Sequence, residues 1–279
     1  MNTTKRNSLN SNASEVQAFY NETTDKFLEV YGEIIQAFRT NNVEDYLNYT
    51  MHSAKMKDGE LLLDAGCGIC GPAVHFAQQM PNTTIDACTI SEVQVAKAKE
   101  KINTANLSER VKVKHADYHT IDKVYPKNHF DGVYFLESFG HSNKKDVLID
   151  ACWEVLKPGG RIYLKDLFKR ESDDEWEQLR IDQICRDIDK AYRYHIADLN
   201  KVLSKIRSKG FILKYVKVPD VETSEFEHLT ISNDFQNLFN IGKIDSWEDY
   251  IFPIDFYEIL AEKPSKDNLE NMHLYFMNK

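Results

Sequence analysis

One octapeptide restricts this chain more than any other feature. Asp64-Ala65-Gly66-Cys67-Gly68-Ile69-Cys70-Gly71 follows the short apolar run Leu61-Leu62-Leu63 and precedes a helical stretch over 71–80. Gly66, Gly68 and Gly71 form G-x-G-x-x-G between strand and helix. Glycines there permit a tight turn and let a ligand lie against the backbone. A buried parallel strand, a turn of this kind and a helix open a nucleotide-binding α/β sheet. Alone, the pattern points first to a dinucleotide.

The pattern then repeats without the glycines. Short apolar runs at 84–90, 111–115, 129–136 and 161–167 predict strands. Helical spacing over 91–105 and 144–156 predicts helices, the first with Ser91 as N-cap. Lys157-Pro158-Gly159-Gly160 stops the second. Strands alternating with helices of this length imply a parallel sheet covered on both faces. Further on come a helical stretch over 173–194, a helix over 196–209, and strands over 211–218 and 254–263. The fold class predicted is α/β: a Rossmann-like, seven-stranded, mostly parallel sheet with an N-terminal helical cap and lid insertions. The divisions are a disordered 1–13, a helical cap over 14–57, a cofactor-binding core over 58–169 and a lid over 170–195. The core resumes over 196–219. A second lid spans 220–250, the last core strand lies in 251–265, and 266–279 is a tail.

Composition removes several classes of function. Lys plus Arg number 35 and Asp plus Glu 44, a net charge of −9. An acidic chain is a poor ligand for nucleic acid or an anionic membrane surface. No run reaches the roughly 18 apolar residues of a membrane helix. The first fifteen residues contain no apolar signal segment, so the expected location is cytoplasmic. Five cysteines, without such a segment, suggest reduced thiols. Cys67 and Cys70 form C-x-x-C, but no second pair and no nearby histidine pair completes a zinc site, and no metal is expected.

Two details refine the glycine loop. Asp64 stands two residues before Gly66, and Leu156-Lys157-Pro158-Gly159-Gly160 precedes the fifth strand. Together they resemble the class I S-adenosylmethionine-dependent methyltransferases. The resemblance implies S-adenosyl-L-methionine as cofactor and S-adenosyl-L-homocysteine as product. It implies that Asp64, Gly66, Gly68 and Gly71 line the methionine part of the site. A carboxylate at Asp64 suits an ammonium group. Asp117, with Tyr118 beside it, matches the position that holds the adenine amino group; a turn cap is the plain alternative. Many relatives end the second strand with an acidic residue. This chain reads Thr89-Ile90-Ser91-Glu92-Val93-Gln94 instead. That resembles the branch containing the tocopherol, sterol, geranyl diphosphate and cyclopropane fatty-acid enzymes. Thr89, Ile90 and Gln94 then become the ribose and adenine contacts. Tyr20 matches an early tyrosine that closes over the cofactor.

The acceptor is expected beyond the fourth strand, where ligands of parallel sheets sit. Glu137-Ser138-Phe139-Gly140-His141 occupies that tip. His141 can accept a proton near neutral pH. Asp166 ends the fifth strand. His141 with Asp166 resembles the base pair of rebeccamycin-type sugar O-methyltransferases. Glu137 matches the base assigned in the geranyl diphosphate enzyme, yet the sugar enzymes carry it too. Simpler roles exist for all three: a hydrogen bonder, a loop histidine and a helix cap. Aromatic residues at Phe19, Tyr20, Tyr31 and 247–256 suit either an apolar acceptor pocket or ordinary core. The reading is methylation of a hydroxyl on a small natural product, with His141 and Asp166 as bases. The alternative is C-methylation of an alkene in a prenyl diphosphate or sterol-like acceptor, with Glu137 as base. The cap helices could pack within one chain or across two, which leaves a homodimer open.

Overall fold

The computed structural model describes residues 12–34, 40, 42–220 and 251–265. The expectations for 1–11, for the lid from 221 to 250 with its Trp247, and for the tail from 266 lie outside the described residues.

The strands are β1 (Leu61–Ala65), β2 (Thr84–Thr89), β3 (Val111–His115), β4 (Phe130–Leu136), β5 (Leu156–Lys169), β6 (Ile212–Lys217) and β7 (Ile254–Glu262). They form one sheet in the order β3-β2-β1-β4-β5-β7-β6. β1 to β5 run parallel to one another, and β7 runs antiparallel between β5 and β6. The strand order reverses between β1 and β4, which opens a crevice at their carboxyl ends.

The helices are α1 (Ala13–Tyr31), α2 (Val43–Ser53), α3 (Gly71–Gln79), α4 (Glu92–Thr104), α5 (Ile121–Val124), α6 (Lys145–Val155), α7 (Glu175–Tyr192) and α8 (Leu199–Lys209). Their starts follow local chemistry. Asn42, Ser91, Asp174 and Asp198 each accept a backbone N–H from three residues on. Such a cap satisfies an N–H that the helix itself leaves unbonded.

Alternation along the strands builds two cores. Leu164, Phe168, Ile259 and Ala261 pack with Leu148, Cys152, Val202 and Ile206 on one face. Leu62, Tyr134, Tyr163 and Leu260 pack with Tyr46, Leu47, Phe76 and Ile102 on the other.

Two features depart from expectation. β5 begins at Leu156, not 161. Leu156 pairs with Phe130 before the register jumps to Arg161 opposite Gly132. The intervening loop stays on the sheet because Lys263 bonds it, accepting from Gly159 N–H and donating to the Gly160 carbonyl, both at 2.8 Å. The helix stop is therefore also a bulge in the strand. The second feature is the polar seat of α2. Lys165 and Glu258 stand opposite each other on β5 and β7, and neither is exposed. Lys165 donates to Thr50 at 2.6 Å and lies 3.8 Å from the Tyr46 ring centre. Glu258 accepts from Tyr49, Ser53 and Tyr163. Buried charge survives there because hydrogen bonds replace water.

Candidate active site

The crevice is assembled from strand ends. Gly66 and Cys67 donate their N–H groups to the Cys88 carbonyl, which ties the loop after β1 to β2. Gly66 has φ +89, and a Cβ there would lie 2.5 Å from the Ser138 Cβ. Ser138 in turn donates to the Ala65 carbonyl at 2.6 Å. Gly68 differs: nothing lies within 4 Å of where its Cβ would be. Gly71 makes room for the Glu33 carbonyl, so its small size serves packing of the chain after α1.

Asp64 is 2% exposed. Burial pushes its carboxyl up to about 7, and the Tyr134 hydroxyl beside it opposes the rise. It forms no ion pair among the described residues. A buried carboxylate of this kind calls for a cation. The open space over Gly68 and the buried carboxyl of Asp64 fit the amino-acid end of S-adenosylmethionine. On β2, Thr89 donates to the Gln94 amide oxygen at 2.5 Å, and both side chains are buried. Ile90 is half-buried next to them, and its carbonyl meets His115 at 2.7 Å. Asp117 caps a single 3-10 turn after β3, and Tyr118 donates to the Ser138 carbonyl at 3.2 Å. The residues read as cofactor ligands thus ring one crevice, with Gly71 at its edge.

α1 forms the roof. Gln17 meets His115 at 3.3 Å, Asn21 accepts from Ser91 at 2.7 Å, and Tyr20 meets His141 at 2.7 Å. Just before the helix, Asn12 donates to the His141 carbonyl at 2.8 Å. One segment therefore spans the ends of β3, β2 and β4.

At the β4 tip, Glu137 holds φ +54. A non-glycine residue in this region is strained, and such strain gathers at functional sites. Glu137 is half-buried, whereas His141 is 6% and Asp166 1% exposed. His141 Nδ1 faces the Arg193 carbonyl at 3.1 Å. A carbonyl only accepts, so Nδ1 carries the proton and Nε2 accepts from the Tyr20 hydroxyl. Burial pushes His141 down to about 4; the Arg193 carbonyl opposes this, and Lys145 and His195 add to it. Asp166 accepts from Tyr194, from Leu167 N–H and from Gly140 N–H. Burial still pushes it up to about 6, and Glu137 contributes.

His141 and Asp166 do not bond to each other. Tyr194 stands between them, its hydroxyl 2.6 Å from Asp166 and its ring centre 4.3 Å from that of His141. A Cβ on Gly140 would sit 1.9 Å from the Tyr194 ring. Glycine at 140 thus makes the space that Tyr194 fills. Tyr194, Arg193 and Asn12 are site residues that the sequence did not single out. They act through backbone carbonyls or across long separations, for which no spacing exists to read.

Residues 62–160 match a family described as "Methyltransferase domain". The chain is 28% identical over 165 residues to the sterol 24-C-methyltransferase ERG6 of Saccharomyces cerevisiae, covering 57% of this chain and 42% of that enzyme. Over residues 62–160 the chain thus carries a methyltransferase domain. The 27-O-demethylrifamycin SV methyltransferase of Amycolatopsis mediterranei is 35% identical over 111 residues, or 40% of each chain. The chain spans about half or less of the length of these curated relatives. Among solved structures, the [4+2]-cyclase SpnF superposes with a TM-score of 0.72 at 21% identity, covering 91% of this chain and 96% of that one. Geranyl diphosphate C-methyltransferase from Streptomyces coelicolor, solved with Mg2+, geranyl diphosphate and S-adenosyl-L-homocysteine, gives 0.62 at 14% identity, covering 78% of each chain. These likenesses show the methyltransferase fold. Among the described residues, no helix is long and apolar enough to cross a membrane.

Proposed function

We propose that this protein transfers a methyl group from S-adenosylmethionine to a hydroxyl of a small natural-product acceptor. The cofactor, when bound, supplies an electrophilic methyl group. Asp64, the open face over Gly68, the Thr89–Gln94 pair and Asp117 are the residues that would hold it. The observation carrying the O-methylation reading is the Tyr20–His141 pair. His141 is neutral, its tautomer is fixed by the Arg193 carbonyl, and Nε2 already accepts from a hydroxyl at 2.7 Å. An acceptor hydroxyl that displaces Tyr20 finds an imidazole nitrogen set to take its proton. Positioning supplies the rest, since methyl transfer depends chiefly on alignment of the reacting atoms. Asp166, with three donors of its own, supports the loop and Tyr194 in this reading, and the resemblance-based role as a base passes to His141.

A second reading is C-methylation of an alkene. The strained, half-buried Glu137 supports it, as a carboxylate held at the strand tip could remove a proton from a cationic intermediate. The sterol relatives point the same way. Because a cyclase shares the fold, product must be read directly. The test is S-adenosylhomocysteine release, by mass spectrometry, with hydroxylated polyketides, glycosides and phenols against prenyl diphosphates and sterols. Release with the first panel, abolished in His141→Ala, supports the proposal. Release with the second alone, abolished in Glu137→Gln, replaces it with C-methylation. No release with either overturns both.

A further inference from the structure

Behind Asp117, two side chains not used in the chemistry described above, His119 and Ser142, continue from it in a line. His119 lies in the turn Tyr118–Thr120 after β3, is 6% exposed, and points its two ring nitrogens at different elements. Nδ1 lies 2.6 Å from Asp117 Oδ1, and the same oxygen accepts His119 N–H at 2.9 Å. Nε2 lies 2.7 Å from the Ser142 hydroxyl. Ser142 follows His141 directly and also accepts Lys144 N–H at 3.1 Å.

The directions can be assigned. A carboxylate oxygen accepts, so Nδ1 donates to Asp117. In a neutral imidazole Nε2 then accepts, and the Ser142 hydroxyl donates. Serine, histidine and aspartate in this order resemble a hydrolytic triad. Ser142 is fully buried, however, and no acyl group can reach it. Only the Asp117 end opens outward, with its side chain 22% exposed. The line therefore serves the aspartate, not the serine. Two bonds to one oxygen fix the plane of the carboxylate. The Ser142 hydroxyl fixes the tautomer that makes the stronger of those bonds.

We propose that His119 is a positioning residue that orients the Asp117 carboxylate to accept from a 6-amino-purine ring, and so sets the preference for an adenine-bearing cofactor. The proposal rests on the reading of Asp117 as the adenine contact. A 6-oxo ring would place an acceptor against an acceptor, which the site rejects by leaving a polar group unpaired.

The experiment compares S-adenosylhomocysteine with its 6-oxo analogue, S-inosylhomocysteine, by calorimetry. Wild type is expected to favour the amino compound about tenfold or more. His119→Leu is expected to lower that ratio to about twofold. His119→Asn, whose amide N–H stands near the place of Nδ1, should keep most of it. Equal losses for both ligands in His119→Leu, with the ratio unchanged, would mean a structural role only and would overturn the proposal. If wild type itself shows no preference, the Asp117 reading falls first, and the proposal falls with it. Should His119→Leu fail to fold, His119→Gln replaces it. Its amide reaches toward Ser142 and abandons Asp117, so a ratio higher in Gln than in Asn overturns the assignment.

Discussion

A side chain on Gly66 would begin 2.5 Å from the Ser138 Cβ, because the loop after β1 and the tip of β4 touch backbone to side chain at this point. Gly68, two residues on, faces open space instead. The two glycines therefore separate a packed position from an open one. Gly66→Ala is expected to lower thermal stability by several degrees. Gly68→Ala is expected to cost about 1–2 kcal/mol through its left-handed φ of +54. Its loss of S-adenosylhomocysteine affinity should be larger, at least tenfold. Melting curves and calorimetry on the same two variants separate the effects; the opposite ranking would remove Gly68 from the cofactor site.

Asp64 predicts a proton balance. Its folded pKa is raised to about 7, so between the unfolded value near 4 and about 7 the folded apo protein holds an extra proton. Stability from this group falls as pH rises through that window and is flat above it. A ligand ammonium beside the carboxylate lowers the pKa again. S-adenosylhomocysteine binding at pH 6 to 7 should therefore release a proton. Binding enthalpies measured in buffers of different ionisation heat report the number, and Asp64→Asn should bring it to zero.

His141 has the opposite sign. Its folded pKa is depressed to about 4 against an ordinary value near 6.5. The unfolded chain binds the extra proton, so stability is lost as pH falls from about 6.5 toward 4. His141→Asn should melt closer to its pH 7 temperature at pH 5 than wild type does. A drop as steep as that of wild type would assign the acid lability to another group.

Asp166 predicts a local one. Its oxygens accept from Gly140 N–H and Tyr194. In Asp166→Asn one of those oxygens becomes an NH2 facing a donor. The expected cost is about 1–3 kcal/mol, the range for an unsatisfied buried group. Tyr194→Phe removes one bond and keeps the ring, so it should cost less. Urea titrations of the two variants give the comparison.

The sequence was most legible where chemistry is local. The strands at β1 to β4, the cap at Ser91 and the loop of Asp64 to Gly71 all follow from neighbours within a few residues. The start of β5 was not legible, because Lys263 supplies the bonds that keep 157–160 on the sheet. The crevice could be placed from Asp64, Asp117 and Glu137, each at the end of a strand. Its wiring could not. Tyr194 reaches Asp166 across 28 residues, Asn12 reaches His141 across 129, and His119 reaches Ser142 across 23. Such pairs depend on how strands are ordered, and no periodicity encodes them.

α1 touches the ends of β3 and β2 through Gln17 and Asn21 and the segment after β4 through Tyr20. Since one helix holds both ends, a shift that frees Tyr20 from His141 also strains the bonds at Gln17 and Asn21. On the proposed reading, exchange of spent cofactor and departure of methylated product would both require this helix to shift. Turnover in this protein should accordingly follow the bonds at Asn12, Tyr20 and Asn21 as closely as it follows any group that handles a proton.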